Sequence, residues 1–181
     1  DVALDLTLEF SREVRFRIPL ANNIEEGVAE LLNAPNTTIG LSDAGAHTSQ
    51  LCDACFATHL LGHWVRDKGA ISLEEAVRKL TSLPARIFGL QDRGLLEVGA
   101  PADVVVFDPE TVAAGRLERV NDLPGAEERL ISRATGIDAV LVNGVVVRQG
   151  GEDAIEATGP MPGALLRNGS ARGETPLRRS A

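Results

Sequence analysis

Thr38-Ile-Gly-Leu-Ser-Asp-Ala-Gly-Ala-His47 is the stretch of this sequence that decides its fold. Residues 38–42 are small, β-branched or apolar, a pattern typical of a short strand that is buried on both faces. Asp43 follows this predicted strand directly, and a flexible Ala-Gly-Ala turn leads on to His47. In parallel α/β folds, catalytic groups gather at the carboxyl ends of strands. The stretch therefore predicts an α/β fold with Asp43 at that edge.

Residue types alone leave two interpretations of Asp43 open. A carboxylate at the end of a strand can take a proton from a metal-bound water and return it to a leaving group, if its pKa and geometry allow. The alternative is that Asp43 caps a helix that follows it.

The residues before this stretch complete a strand–helix–strand unit. Residues 13–18 alternate polar and apolar side chains, which predicts a half-buried strand. A helix is predicted to begin near Asn22-Asn23 and to stop before Pro35. Strand, helix and strand within about 30 residues make a βαβ unit. The chain opens at Asp1 in a run that resembles the later turns of a helix, so we expect a piece of a longer protein.

Helices are predicted after His47. Residues 51–65 are mostly apolar and predict a long helix, and Ser72-Leu-Glu-Glu75 is a capping box that opens a second one. A third, short helix has Pro84 near its first turn and ends at Gly89. The buried face of the second helix is predicted from helical spacing to consist of Leu73, Ala76, Val77 and Leu80.

Strands are predicted in the rest of the chain. Residues 102–107 and 137–142 are rich in valine and isoleucine, and Asn143-Gly144 predicts a hairpin between the latter run and the valines that follow. Residues 108–136 are polar and have no predicted regular structure. The last ten or so residues are predicted to form a mobile tail.

Composition limits the classes of function. The chain has 181 residues, too few for a complete (β/α)₈ barrel. With 26 acidic and 18 basic side chains its net charge is −8, so we expect neither nucleic acid nor a membrane surface as partner. Two cysteines provide no disulfide framework and favour a cytoplasmic location.

A second cluster, made of Cys52, Cys55, His59 and His63, has a spacing that suggests a zinc site on one helix face. Geometry argues against this interpretation, because the 11 residues that separate its ends would rise ~16 Å. Ligands of one tetrahedral zinc lie within ~4 Å of one another. We therefore expect a packed helix face with buried thiols and hydrogen-bonded imidazoles.

Residues 38–47 resemble the eighth-strand segment of the amidohydrolase superfamily, specifically its N-acyl-D-amino-acid deacylase branch. The stretches 93–108 and 139–147 resemble the small β-domain that follows the barrel in these enzymes. Three further stretches resemble the helices after that strand: Leu61-Gly-His-Trp-Val-Arg-Asp67, Glu74-Glu-Ala-Val-Arg-Lys-Leu-Thr81 and Pro84-Ala-Arg-Ile-Phe-Gly-Leu90.

The resemblance implies a fold and an activity. The fold is α/β: residues 1–92 would be the C-terminal strands and helices of a metal-dependent hydrolase (β/α)₈ barrel, residues 93–165 a small β-domain and residues 166–181 a flexible tail. The activity is that of a zinc hydrolase acting on carbon–nitrogen bonds other than peptide bonds. Its substrates would be N-acyl-D-amino acids, cleaved to a carboxylic acid and a D-amino acid.

The resemblance also assigns roles to three residues. Asp43 matches the general base and acid of the family, which sometimes also contacts the metal. His47 matches a histidine that orients the substrate, and Ser42 is expected to bind substrate beside it.

One departure from the family is large. The sequence contains no His-x-His pair, and the family's ligands from the middle strands have no counterpart. The resemblance thus implies zinc in the parent enzyme and none in this chain alone, where Asp43 becomes a metal ligand only with ligands from a missing N-terminal part. Because zinc catalysis needs three or so further ligands, we expect the chain alone to be inactive.

Two alternative functions remain open, and the chain is expected to associate with another polypeptide. The strand-eight aspartate and the following histidine also occur in cyclic-amide hydrolases such as hydantoinase or dihydroorotase relatives. The second alternative is that the chain is a non-catalytic assembly module. An incomplete barrel leaves a strand edge and a helix face unpaired, so we expect self-association or association with the missing N-terminal part.

Overall fold

The computed structural model describes residues 1–10, 14–16, 22–40, 42–156 and 158–166. Helices occupy the first half of these residues and strands the second. The helices are α1 (Val2–Glu9), α2 (Glu25–Asn33), α3 (Phe56–His59), which continues as a π-helical segment (Leu60–Asp67), α4 (Leu73–Leu80) and α5 (Ser82–Ile87). The strands are β1 (Val104–Phe107), β2 (Ala113–Val120), β3 (Arg129–Thr135), β4 (Ile137–Val142), β5 (Val145–Gln149) and β6 (Glu152–Asp153).

The strands form two antiparallel sheets. One has four strands in the order β1-β4-β5-β6, and the other is the two-stranded ribbon β2-β3. The predicted hairpin is confirmed: Val142 lies opposite Val145. Asn143 and Gly144 have φ values of 48° and 79°, the left-handed pair that a tight hairpin turn requires. The strand predicted for residues 102–107 is also confirmed, although β1 begins two residues later than expected.

Helix α4 follows its sequence signals closely. The Ser72 hydroxyl oxygen accepts a hydrogen bond from the Glu75 backbone N–H at 3.2 Å, as the capping box predicts. The Glu75 carboxylate pairs with Arg78 at 2.6 and 2.7 Å, so the return half of the box is replaced by an ion pair. The four predicted apolar residues of α4 all face the core, and Ala76 is fully buried.

The hydrophobic core lies where the π-helical segment meets α4 and the chain just before β2. Its buried members are Leu60, Leu61, Ile71, Ala76 and Val112. Contact is close at Gly62, since a side chain there would meet the backbone carbonyl of Val112. Across the described ranges, the structure contains no helix with the length and apolar character that crossing a bilayer requires.

Two predicted elements are not formed as expected. Residues 38–40 and 42 lie outside any strand, and Leu41 is outside the described residues. Residues 13, 17 and 18 of the predicted strand 13–18 are also outside the described residues. A β-strand exists only when its backbone pairs with a neighbour. In the described part of the chain no segment pairs with residues 38–40, and the Thr37 carbonyl accepts from the Lys79 ammonium instead.

The helix predicted for residues 51–65 begins only at Phe56. Its first predicted turn is replaced by tight turns, in which the Leu51 N–H bonds to the His47 carbonyl and the Phe56 N–H to the Asp53 carbonyl. Cys52 therefore lies outside the helix, and Cys55 marks its N-terminal boundary. The prediction that two thiols and two imidazoles share one helix face is therefore wrong.

The ribbon β2-β3 lies in the polar stretch for which no regular structure was predicted. The described residues thus combine helices with antiparallel strands, whereas the barrel assignment of residues 1–92 remains a prediction. The predicted tail falls almost wholly outside the described residues.

Candidate functional site

Asp43 lies at the start of a run of turns that extends through residue 50, and its side chain is exposed. Its backbone carbonyl accepts a hydrogen bond from the Ala46 N–H at 3.1 Å, which closes the first turn. Gly45 has a φ of +93°, a conformation that residues with a Cβ rarely adopt. The Ala-Gly-Ala sequence is therefore what permits the chain to turn after the carboxylate.

His47 closes this turn in the left-handed region, with a φ of +50°. Its carbonyl accepts from the Gln50 N–H at 2.7 Å and from the Leu51 N–H at 3.2 Å. The imidazole is exposed. Within the described residues no hydrogen bond joins it to Asp43, so the structure places both groups on one exposed turn without pairing them.

The structure bears on one of the two interpretations of Asp43, the helix cap. After Asp43 the first helix in the described residues is α3, which begins 13 residues later at Phe56. The local cap is supplied by Ser42, whose hydroxyl accepts from the Ala44 N–H at 3.3 Å. In the described part of the chain the Asp43 carboxylate makes no hydrogen bond, so it is not a helix cap.

The downstream end of this turn is fixed to the ribbon β2-β3. The Leu130 N–H donates to the Thr48 carbonyl at 2.8 Å, and the Arg119 guanidinium donates to the Ser49 carbonyl at 3.0 Å. Glu128 lies 3.1 Å from Arg119 and 2.9 Å from Arg15. The hydrogen bond from Arg15 is the main cause that lowers the pKa of the Glu128 carboxyl.

Sequence reasoning missed these supporting residues. The available signal was Leu130-Ile-Ser-Arg-Ala-Thr135, in which apolar and β-branched residues occur within a polar stretch. The role of the ribbon comes from contacts with residues 70 and 82 positions earlier in the chain, which local patterns do not reveal.

The upstream end is fixed through Thr37. Its hydroxyl donates to the carbonyls of Leu31 and Ala34 at 2.5 and 2.9 Å, at the end of α2. The Lys79 ammonium donates to the Thr37 carbonyl at 2.9 Å. We call the residues between these two anchors, 38–47, the Asp43 segment.

The two imidazoles of the second cluster form a stack apart from this segment. The rings of His59 and His63 lie 4.8 Å apart and nearly parallel. His63 Nε2 lies 3.1 Å from the carboxylate of Glu25, which also contacts Lys68 at 2.6 Å. The hydrogen bond from Lys68 is the main cause that lowers the pKa of Glu25. The hydrogen-bonded imidazole expected here is thus confirmed for His63.

Metal ligation requires several donor atoms that converge on one point. In residues 1–10, 14–16, 22–40, 42–156 and 158–166, no three His, Cys, Asp or Glu side chains converge closely enough to hold a metal ion. Asp43 offers one carboxylate on an exposed turn. These residues by themselves do not fit a zinc site, which needs three or four converging ligands.

The sequence of this chain is similar to those of known amidohydrolases. Residues 8–148 match the sequence model of the amidohydrolase family. The N-acyl-D-glutamate deacylase of Alcaligenes xylosoxydans xylosoxydans is 49% identical over 90 residues, which cover 50% of this chain and 17% of that protein. The D-aminoacylase of the same organism is 40% identical over 149 residues, covering 81% of this chain and 28% of that protein.

One solved structure is also similar in sequence. It is the N-acyl-D-glutamate deacylase from Bordetella bronchiseptica, complexed with zinc and a phosphonate inhibitor, and it is 47% identical over 50% of this chain and 17% of that one. Its TM-score with this chain is 0.40. The chain spans less than a third of the length of each of these three relatives.

Proposed function

Because this chain belongs to the amidohydrolase family, we propose that the protein containing it hydrolyses the amide bond of N-acyl-D-amino acids. The products would be a carboxylic acid and a D-amino acid. The observation that carries the proposal is that the family match spans residues 8–148, and so includes the Asp43 segment, while the relatives of high identity are named as deacylases.

Asp43 is proposed to move the proton in this reaction. Its carboxylate would accept a proton from the attacking water as the carbon–oxygen bond forms, and would return that proton to the nitrogen as the amide bond breaks. Such acid–base catalysis contributes roughly 10² to 10⁴-fold to the rate. An exposed carboxylate without a protein partner in the described residues is free to face a substrate.

His47 and Ser42 are proposed to bind the substrate. Both flank Asp43 on the turn, and the His47 imidazole is exposed toward solvent, where it can donate a hydrogen bond to an acyl or carboxylate oxygen. Ser42 is half-buried and already accepts from the Ala44 N–H, so its hydroxyl proton is the group left for a ligand.

Zinc enters the proposal as a property of the whole protein. The zinc-bound deacylase from Bordetella bronchiseptica supports it, whereas the residues described here do not form a zinc site on their own. We therefore expect this chain alone to be inactive and to associate with itself or with the part of the enzyme that it lacks. A cytoplasmic location remains a prediction from composition.

The test compares the complete polypeptide with this chain alone. Release of D-glutamate from N-acetyl-D-glutamate is measured for both, with N-acetyl-L-glutamate as the stereochemical control and dihydroorotate and hydantoin as cyclic amides. We expect the complete polypeptide to contain zinc and to cleave the D-substrate, and the chain alone to be inactive. Cleavage of the cyclic amides alone would favour the cyclic-amide hydrolase. No turnover of any substrate by a folded, zinc-loaded protein would favour an assembly module.

A further inference from the structure

Lys79 is a buried charge that the proposed chemistry does not use. It lies on α4 with 3% of its surface exposed. Among the described residues, it is the charged residue that is buried. An ammonium group removed from water is costly unless it is hydrogen-bonded or paired. In the described ranges no carboxylate lies within ion-pair distance of it.

The contacts of Lys79 lead instead to one residue, Thr37. Its Nζ lies 2.9 Å from the Thr37 carbonyl oxygen and 3.5 Å from the Thr37 hydroxyl oxygen. The end of α2 is bonded to the Thr37 hydroxyl, so the carbonyl is the group of Thr37 that the ammonium satisfies. The ammonium thus takes the place of the neighbouring strand that would otherwise satisfy this carbonyl.

In the described residues, Thr37 is the last residue before Asp43 that is hydrogen-bonded to another element. Beyond it, Ile39 packs against the hydrophobic core, and the next hydrogen bond to another part of the fold in the described residues is the one that the Thr48 carbonyl accepts from Leu130. The backbone hydrogen bonds between these two points are those of the turn itself. The placement of Asp43 therefore depends on two anchors, of which the upstream one consists of the Thr37 carbonyl and the Ile39 side chain.

We propose that Lys79 is a positioning residue that holds the Asp43 segment in place through the Thr37 carbonyl. The inference rests on the proposed function, which gives Asp43 the proton transfer. It predicts that loss of the ammonium loosens the upstream end of the Asp43 segment, which the Ile39 side chain then holds alone, and displaces the carboxylate from its working position. A displacement of about 1 Å at a catalytic group can cost about 10²-fold in rate.

The test uses Lys79→Met in the complete polypeptide, because methionine keeps most of the apolar stem but removes the donor. The matched control is Lys68→Met, the same substitution at the other lysine of the sequence, which pairs with Glu25 on the surface. Two quantities are measured for each variant: the steady-state constants for N-acetyl-D-glutamate, and hydrogen–deuterium exchange of a peptide covering residues 38–47.

We expect Lys79→Met to lower kcat about tenfold to 10²-fold with KM within about twofold of wild type, and to speed exchange in residues 38–47. Lys68→Met should change neither. If Lys79→Met does not fold, Lys79→Gln, a neutral side chain too short to reach the Thr37 carbonyl, is measured in its place with the same expectation.

The outcomes separate this inference from the proposed function. Normal exchange and normal kcat in a folded Lys79 variant, with only a lower melting temperature, would overturn it and leave Lys79 as a stabilising residue. A wild-type protein without deacylase activity would refute the proposed function. Even in that case, faster exchange of residues 38–47 in the Lys79 variant than in the wild-type protein would support the anchoring by Lys79.

Discussion

Replacing Gly62 by alanine should separate the π-helical segment from the chain that enters β2. A Cβ at this position would lie 2.6 Å from the Val112 carbonyl oxygen and 3.2 Å from the Ala113 Cα. Both are backbone atoms, which cannot rotate out of the way. Val112 is fully buried, and its carbonyl also accepts from the Arg66 guanidinium at 2.7 Å. The substitution therefore disturbs the centre of the core.

The size of the effect follows from two opposing contributions. Overpacking in a well-filled site costs ~1–3 kcal/mol. Alanine is favoured over glycine inside a helix by ~0.5–1 kcal/mol. The matched control is Gly27→Ala in α2, where a Cβ would meet no atom within 4 Å. Because both substitutions gain the helix contribution, the difference between them isolates the clash, and we expect Gly62→Ala to be less stable by ~1–3 kcal/mol.

Urea unfolding measures this difference directly. The fluorescence of Trp64 is a suitable probe, because it is the single tryptophan of the sequence and lies two positions from Gly62. The midpoint should fall for Gly62→Ala and stay constant or rise for Gly27→Ala. Equal midpoints for the two variants would refute the close contact between Gly62 and Val112.

Two further predictions concern the hairpin and the charges around it. Asn143 donates a side-chain hydrogen bond to the Pro162 carbonyl at 2.6 Å and has a φ of +48°. Asn143→Gly should therefore lower the free energy of unfolding by ~1 kcal/mol, because the hydrogen bond is lost. Asn143→Ala should lower it by about 1 kcal/mol more, because alanine disfavours the left-handed backbone. Thermal unfolding of the two variants checks this order, and the reverse order would contradict it. Arg93 is 11% exposed and contacts Asp103 at 2.7 Å, whereas Arg148 pairs with a carboxylate on the surface. In urea unfolding, Arg93→Met should therefore lower the free energy of unfolding by ~2 kcal/mol or more, and Arg148→Met by less than ~1 kcal/mol. Similar losses for the two variants would show that burial of the Arg93 pair adds nothing to stability.

Local signals were sufficient where the stabilising contacts are local. The Asn143-Gly144 turn and the Ser72 cap both depend on residues within a few positions, and the structure forms both as predicted. The turn after Asp43 likewise follows from its glycine. Sequence alone could therefore predict the hairpin, α4 and the turn that carries the candidate site.

Predictions were wrong where distant residues decide the outcome. Residues 38–40 have a strand-like composition, but a strand needs a paired neighbour, and the partner of Thr37 is a lysine 42 positions away. The ribbon β2-β3 is polar on its surface and was missed because its strands stabilise each other across 17 residues or so. The supports of the Asp43 segment, Lys79 and Leu130, are not predictable from residues 38–47 themselves.

The proton-transfer role of Asp43 is the central claim, and Asp43→Asn in the complete polypeptide tests it most directly. Asparagine keeps the size and shape of the side chain and removes the basic oxygen. Because the carboxylate makes no hydrogen bond in the described residues, the melting temperature should stay close to that of wild type. We expect kcat for N-acetyl-D-glutamate to fall roughly 10² to 10⁴-fold, with a much smaller change in KM. A folded Asp43→Asn protein that hydrolyses this substrate at close to the wild-type rate would contradict the account.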